Sequence, residues 1–407
     1  NRTRNLLRPK PDDGGKNEIK DQFTSFQKAM RGVIVWGQCI GLNPVTGIQQ
    51  TDASKMRFTI YSLKFLFALT MAIFQTIATM LCFYRLFRNP SNLSALGFVT
   101  FYVTVWFTTI SFIRAAPRWP PLMKELVNAR LDEYIQPNVI KRCNIACGVF
   151  VGMAFMEHIM SIMSRITIIL ECNGDAVGRG EIYVRVTSPW LYELDIPYME
   201  WLGYLNLVAT ATWNYADIFV VCMSLYLTSI LEQVNKKIAD THYVPAKTWA
   251  ALREDYTRAT NLVKLFDDMF SGLVLATFAN DLFFICLQLY NVLKNGVKST
   301  QLTSKLCPGR ENSVLRTYVY PTYLTYSTIY LFVRFLTVAL VASGVNTSSL
   351  IPLPVLYAVP TSSYSKEVER FQNQVNGDIV ALSGLHFFYV TRDLVLTRPE
   401  ITLIKYS

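Results

Sequence analysis

The chain has 407 residues, 51% of them hydrophobic, 13% aromatic and only 17% charged, with a formal net charge of +10. That balance is too apolar for a soluble protein of this length, and the basic residues lie scattered between apolar runs, which argues against nucleic acid as a partner. What remains is an all-α polytopic membrane protein with the lipid bilayer as its solvent and the positive charge as a topology signal.

Residues 1–22 hold Arg2, Arg4, Arg8, Lys10, Lys16 and Lys20 among Pro9, Pro11, Gly14 and Gly15, a composition that buries too little apolar surface to fold and predicts a disordered cytosolic tail. No apolar core follows it closely enough for a signal peptide, and because residue 1 is not Met a longer N-terminus is expected. Residues 23–56 contain an apolar stretch broken by Arg31, Gly37, Gly41 and Pro44, short of the roughly 20 residues a spanning helix needs, and predict an interfacial helix.

Seven runs of spanning length follow. Four fall in residues 57–231: Phe58–Phe87, Leu93–Ile113, Cys143–Ile169 and Trp201–Leu231. Three fall in residues 270–407: Phe270–Leu293, Tyr318–Ala342 and Ile379–Tyr406. Lys and Arg concentrate in the tail, in the segment between the second and third runs, and between the fourth and fifth, so the N-terminus is expected inside and the C-terminus outside. That is the reverse of a G-protein-coupled receptor, whose Asp-Arg-Tyr and Asn-Pro-x-x-Tyr signatures the chain also lacks. On this topology Asn92 of Asn-Leu-Ser faces outside and Asn346 of Asn-Thr-Ser faces the cytosol.

Residues 232–269 never read as a loop. Leu227, Leu231, Val234 and Ile238, then Trp249, Leu252, Tyr256, Ala259, Val263, Phe266 and Phe270, keep a three-and-four rhythm that predicts a cytosolic helical hairpin with a coiled-coil-like seam. Lys236, Lys237, Arg253, Glu254, Asp255 and Arg258 are expected on its wet face.

Four middle runs carry ionisable residues near their centres: Glu157 beside His158, Asp217, Asp281 beside Asn280, and Arg334. Charge is expensive in a bilayer, so these groups are expected to pair with one another or to face a wet cavity. Trp213, Asn214, Gln288, Tyr326 and Tyr330 add aromatic faces and amides, with Tyr102, Trp106 and Tyr323 nearby in the outer halves. Several fixed hydrogen-bond partners beside aromatic rings suit a sugar. No catalytic residue is assigned, because none of His158, His242 and His386 sits in a nucleophile motif. No metal or cofactor is assigned either: Cys143 and Cys147 lack the partners a zinc site requires, and a disulfide is open only to Cys172 and Cys307, in loops expected outside.

The string Ala381-Leu-Ser-Gly-Leu-His-Phe-Phe-Tyr-Val-Thr-Arg-Asp-Leu-Val-Leu-Thr397 resembles the last-helix signature of insect gustatory receptors, sugar-receptor branch. Trp213-Asn214-Tyr215-Ala216-Asp217 and Gly152 with Glu157-His158 resemble segments of the same branch at the same places in the chain. The resemblance implies a plasma-membrane, multi-pass subunit of a ligand-gated, non-selective cation channel. It further implies a homo- or heterotetramer with related subunits, permeated by monovalent and divalent cations and held together through the cytosolic hairpin. A non-conducting accessory subunit, or a G-protein-independent chemoreceptor for another small polar ligand, is the alternative. The final helix would line the pore with Thr397, Glu400, Ile401, Leu403, Ile404, Lys405 and Tyr406. The family's usual ending, Thr-Tyr, a hydrophobic run and Gln-Phe, is altered here: Arg398-Pro399 follows Thr397, and proline predicts a helix break at Arg398.

Overall fold

The fold is given by a computed structural model that describes residues 25–50, 56–88, 93–128, 138–173, 200–240, 246–295 and 314–395. Apart from two isolated bridges, Thr46 with Arg57 and Ser383 with Tyr389, the described regular structure is helical. The helices are α1 (Ser25–Cys39), α2 (Leu63–Arg88), α3 (Leu93–Ala115), α4 (Trp119–Asn128), α5 (Asn138–Asn173), α6 (Glu200–Ala239), α7 (Ala246–Asn295), α8 (Val314–Leu350), α9 (Pro352–Tyr357), α10 (Lys366–Gly377) and α11 (Arg392–Val395). Among the described residues six helices are long and apolar enough to cross a bilayer: α2, α3 with its continuation to Leu126, α5, α6, α7, and α8 with its continuation to Tyr357. In lipid a helix satisfies its own backbone, which is why apolar runs of this length take that form.

The bundle is built around α6. Of its apolar window 78% is buried, against 11% for α5, so α6 is the central rod and α5 an outer one. It packs on α1, α3, α5, α7 and α8. Phe219 on α6 meets Phe112 of α3, Trp119 of α4 and Phe270 of α7 (ring centroids 4.8 Å), Tyr226 meets Phe26 of α1 (5.1 Å), and Phe26 in turn meets Phe266 of α7 (5.5 Å). Helix α1 is inside this aromatic cluster. Its Phe26, Met30 and Ile34 recur at four-residue spacing and are fully buried, so one face of the first helix packs into the bundle core.

Helices α6 and α7 run unbroken for 40 and 50 residues, about 60 and 75 Å at 1.5 Å per residue, well beyond a hydrocarbon core of about 30 Å. The rhythm read in residues 227–270 is therefore helical throughout its described part, and every seam residue from Leu227 to Phe270 is buried. The partners of that seam belong to the same chain. Helix α10 lays Val368, Phe371 and Val375 against α7, with the Phe371 and Tyr256 rings 5.2 Å apart, and the end of α8 accepts from Asn235 Nδ2 (2.6 Å, at Ser348 O) and Tyr256 OH (2.9 Å, at Ser349 O). Two residues expected on the wet face are also inside: Asp255 is buried and pairs with Arg258 and, at 2.7 Å, with Lys237.

The seventh candidate run is the element that differs most. Residues 378–391 are not helical. After α8 the chain turns through α9 and α10 and then climbs α7, in contacts that rise together in number: Arg253 with Glu367 (3.1 Å), Lys264 with Asp378 (3.0 Å), Asp267 with Ser383 (2.6 Å) and Phe278 with Phe388 (ring centroids 5.7 Å). Helix resumes only at Arg392. Ser383 and Gly384, expected to let one helix approach another, sit instead in a tight hairpin where the Gly384 amide donates to Phe388 O (3.0 Å) and the Val390 amide to Leu382 O (2.8 Å). Residues 397–406, with the expected break at Arg398, lie outside the described residues, as do the 1–22 tail, Asn92 and Cys307. Asn346 lies on α8, where its Nδ2 donates to Val380 O at 3.3 Å.

Candidate ligand cavity

Five helices enclose a cavity of about 610 Å³. Helix α5 presents Glu157, His158, Ser161 and Arg165, of which 157, 161 and 165 repeat at four-residue spacing and so share one face. Helix α6 presents Asn206, Thr210, Trp213 and Asn214; α7 presents Phe284, Gln288 and Asn291; α8 presents Tyr323, Ser327, Tyr330 and Arg334; and α3 closes one side with Phe98 and Phe101.

Its floor is an ion knot. The guanidinium of Arg334 pairs through Nε with Asp217 of α6, and through Nη2 with Asp281 Oδ1 of α7 at 3.0 Å, all three side chains being only 1% exposed. Nη1 donates to Asn214 Oδ1 at 3.2 Å, and the whole group lies 4.3 Å over the Trp213 ring. One cation thus ties three helices together while its apolar face is covered by an indole, the combination that makes a buried charge tolerable. Asn214 is fixed from both ends: Oδ1 also accepts from Tyr330 OH at 2.8 Å, and Nδ2 donates to Thr210 O at 2.9 Å.

A second, separate chain of bonds lines the wall. Gln288 Nε2 donates to Ser327 Oγ (3.0 Å), which donates to Glu157 Oε1 (3.1 Å), joining α7, α8 and α5. Trp213 stands between Phe101 (5.7 Å, edge-on) and Phe284 (5.0 Å), so the aromatic side of the cavity is a packed array.

Of the residues expected from the sequence, the structure brings Glu157, His158, Trp213, Asn214, Gln288, Tyr330 and Arg334 to the cavity wall. Asp217 and Asp281 stand behind Arg334 and hold it. Asn280, buried beside Asp281, is outside the lining, as is Tyr326, which stacks on Tyr330 at 6.4 Å and donates to Met153 O at 3.0 Å. Trp106 is turned away: its indole N–H donates to Thr76 Oγ1 of α2 at 2.9 Å. Ser161, Arg165, Asn206, Thr210, Ser327 and Asn291 complete the wall without having been singled out from the sequence.

A bundle of membrane-length helices around a polar, charged cavity, with a terminal strip climbing its longest helix, has a counterpart among solved structures. The insect olfactory receptor OR5 from Machilis hrabei, in complex with eugenol, superposes with a TM-score of 0.66 over 91% of this chain and 94% of that one, at 12% identity. A second structure of the same receptor superposes with the same TM-score of 0.66, at 11% identity. The class is therefore a multi-pass membrane protein with the fold of that insect olfactory receptor. A family model described as trehalose receptor matches residues 10–304 and 310–407, and the chain belongs to that family of insect gustatory receptors. Its relatives in Drosophila melanogaster include gustatory receptor 5a for trehalose, 28% identical over 96% of this chain and 87% of that protein, and gustatory receptors for sugar taste 64b (28%, 95% and 94%) and 64f (27%, 94% and 80%).

Proposed function

We propose that the chain is a sugar-gated, non-selective cation channel subunit, that the cavity on the Arg334 knot is its sugar site, and that four such chains, identical or related, surround one pore. The observation that carries this reading is the cavity wall itself. Fixed donors and acceptors at Asn214, Gln288, Ser327 and Glu157 face hydroxyls, and the Trp213 array offers a flat apolar side for sugar C–H groups. The relatives are named for trehalose and sugar taste, which makes trehalose the first ligand to try. The distribution of Lys and Arg supports a cytosolic N-terminus and cytosolic extended ends of α6 and α7.

The test is current recording in cells expressing the chain alone and together with related sugar-receptor subunits, across a panel of mono- and disaccharides that includes trehalose. Inward cation current evoked by a sugar supports the reading. Surface-expressed protein that binds sugar and stays silent in every combination would make it an accessory subunit, and currents evoked only by non-sugar ligands would move the site to another class of small polar molecule.

A further inference from the structure

Asp267 on α7 spends both carboxylate oxygens on one residue, Ser383, far away in sequence. The Ser383 amide donates to Oδ1 at 2.6 Å and its hydroxyl to Oδ2 at 2.7 Å, and Ser383 is fully buried. The hydroxyl is also met by the His386 amide (3.3 Å) and His386 Nδ1 (3.3 Å), with Nδ1 3.9 Å from Asp267 Oδ2. A serine that donates to the carboxylate from a buried position is no nucleophile, so the cluster is a clasp.

What it clasps is strained. The Phe387 amide donates back to Gly384 O at 3.0 Å, and the two residues between, Leu385 and His386, have φ of 49° and 60°. Two successive positive φ values are those of a type I′ hairpin turn, normally filled by Asn and Gly, and a branched leucine there survives only where the surroundings over-determine it. Directly after the hairpin, α11 opens at Arg392. On the same unbroken α7, fourteen residues and about 21 Å further along, Asp281 grips Arg334 at the cavity floor.

We propose that Asp267 is a positioning residue for the final helix: by grasping Ser383 it holds the Leu385–His386 turn in its strained form and the helix beyond it in a resting position, and sugar in the cavity loosens that grip. The proposal rests on the sugar-gated reading above. The hairpin stores the strain, α7 links it to the cavity, and release of the clasp lets the turn relax and α11 move.

The experiment uses the full chain with Asp267→Asn, Ser383→Ala and the double variant, reading sugar-free current and half-effective trehalose concentration. Hydrogen exchange over residues 381–391 is followed in the wild type with and without trehalose. Each single variant should raise sugar-free current and lower the half-effective concentration by about tenfold, the scale of one hydrogen bond to a charged acceptor. The double should shift no further than the larger single, because both remove one contact. Exchange over 381–391 should quicken when trehalose binds. Wild-type behaviour in both singles, additive shifts in the double, or exchange unmoved by bound trehalose would each overturn the clasp. If the variants fail to reach the surface, the wild-type exchange decides. A wild type that binds no trehalose fails the sugar reading; an unchanged sugar-free current in Asp267→Asn would then overturn the clasp separately.

Discussion

Arg334 is where the cost of charge in the bundle is concentrated, and substitutions around it should separate holding from sensing. Arg334→Ala would leave Asp217 and Asp281 buried without their cation, a loss of about 3–5 kcal/mol. The expected outcome is loss of folded protein, seen as an aggregated profile in detergent and absence from the cell surface. Trp213→Ala keeps the ion pairs and removes the aromatic face, so surface expression should persist while the sugar response weakens roughly tenfold; unchanged dose–response curves would remove the tryptophan from the site. Asp217→Ala tests the residue standing behind the knot, and any effect on sugar should arise through the position of Arg334. These charges were legible in the sequence because an ionisable group inside an apolar run has few tolerable fates. Ser161, Thr210 and Ser327 were not, since short hydroxyls inside helices are commonly satisfied by their own backbone, as Thr210 is by Asn206 O at 2.9 Å.

At the scale of elements, α7 packs on the chain's own α6, α8 and α10, and its Phe266 on Phe26 of α1 and Trp119 of α4, so disruption of the seam should be felt within one subunit before it is felt between subunits. Leu252→Asp buries an unpaired charge and should expose the α10 end to limited proteolysis in detergent, with cleavage near 358–366 appearing before any change in particle size. A clean shift to smaller oligomers with proteolysis unchanged would instead place the seam between chains. The buried face of both described helices was legible because each half of the seam repeats the three-and-four periodicity. The terminal strip misled for the opposite reason. Ala381 to Val390 is apolar enough to read as a helix, and Leu385-His386 carries none of the Asn-Gly chemistry that announces a hairpin. The distant acid at Asp267 and the edge-on contact of Phe388 with Phe278 hold that turn from outside, and no local pattern encodes either.

For the whole molecule, the proposed orientation makes distinct demands on the two surfaces of the cell. An epitope at residue 1 should be reached by antibody only after permeabilisation, and one inserted between 296 and 313 should be reached on intact cells. Asn346, tied to Val380 O, should carry no glycan. Antibody binding at residue 1 on intact cells, or glycan on Asn346, would invert the topology. The unbroken length of α7 has a mechanical corollary. A stiff rod of about 75 Å pivoting near its middle displaces each tip by about 0.65 Å per degree of tilt, so a ligand that rotates the rod by a few degrees moves the far end by a bond length or more. Leverage of this kind needs no relay of rearranging side chains between the sugar and the far end, only a helix that does not bend; a helix-breaking insertion midway along α7 would disconnect the two ends while leaving each intact.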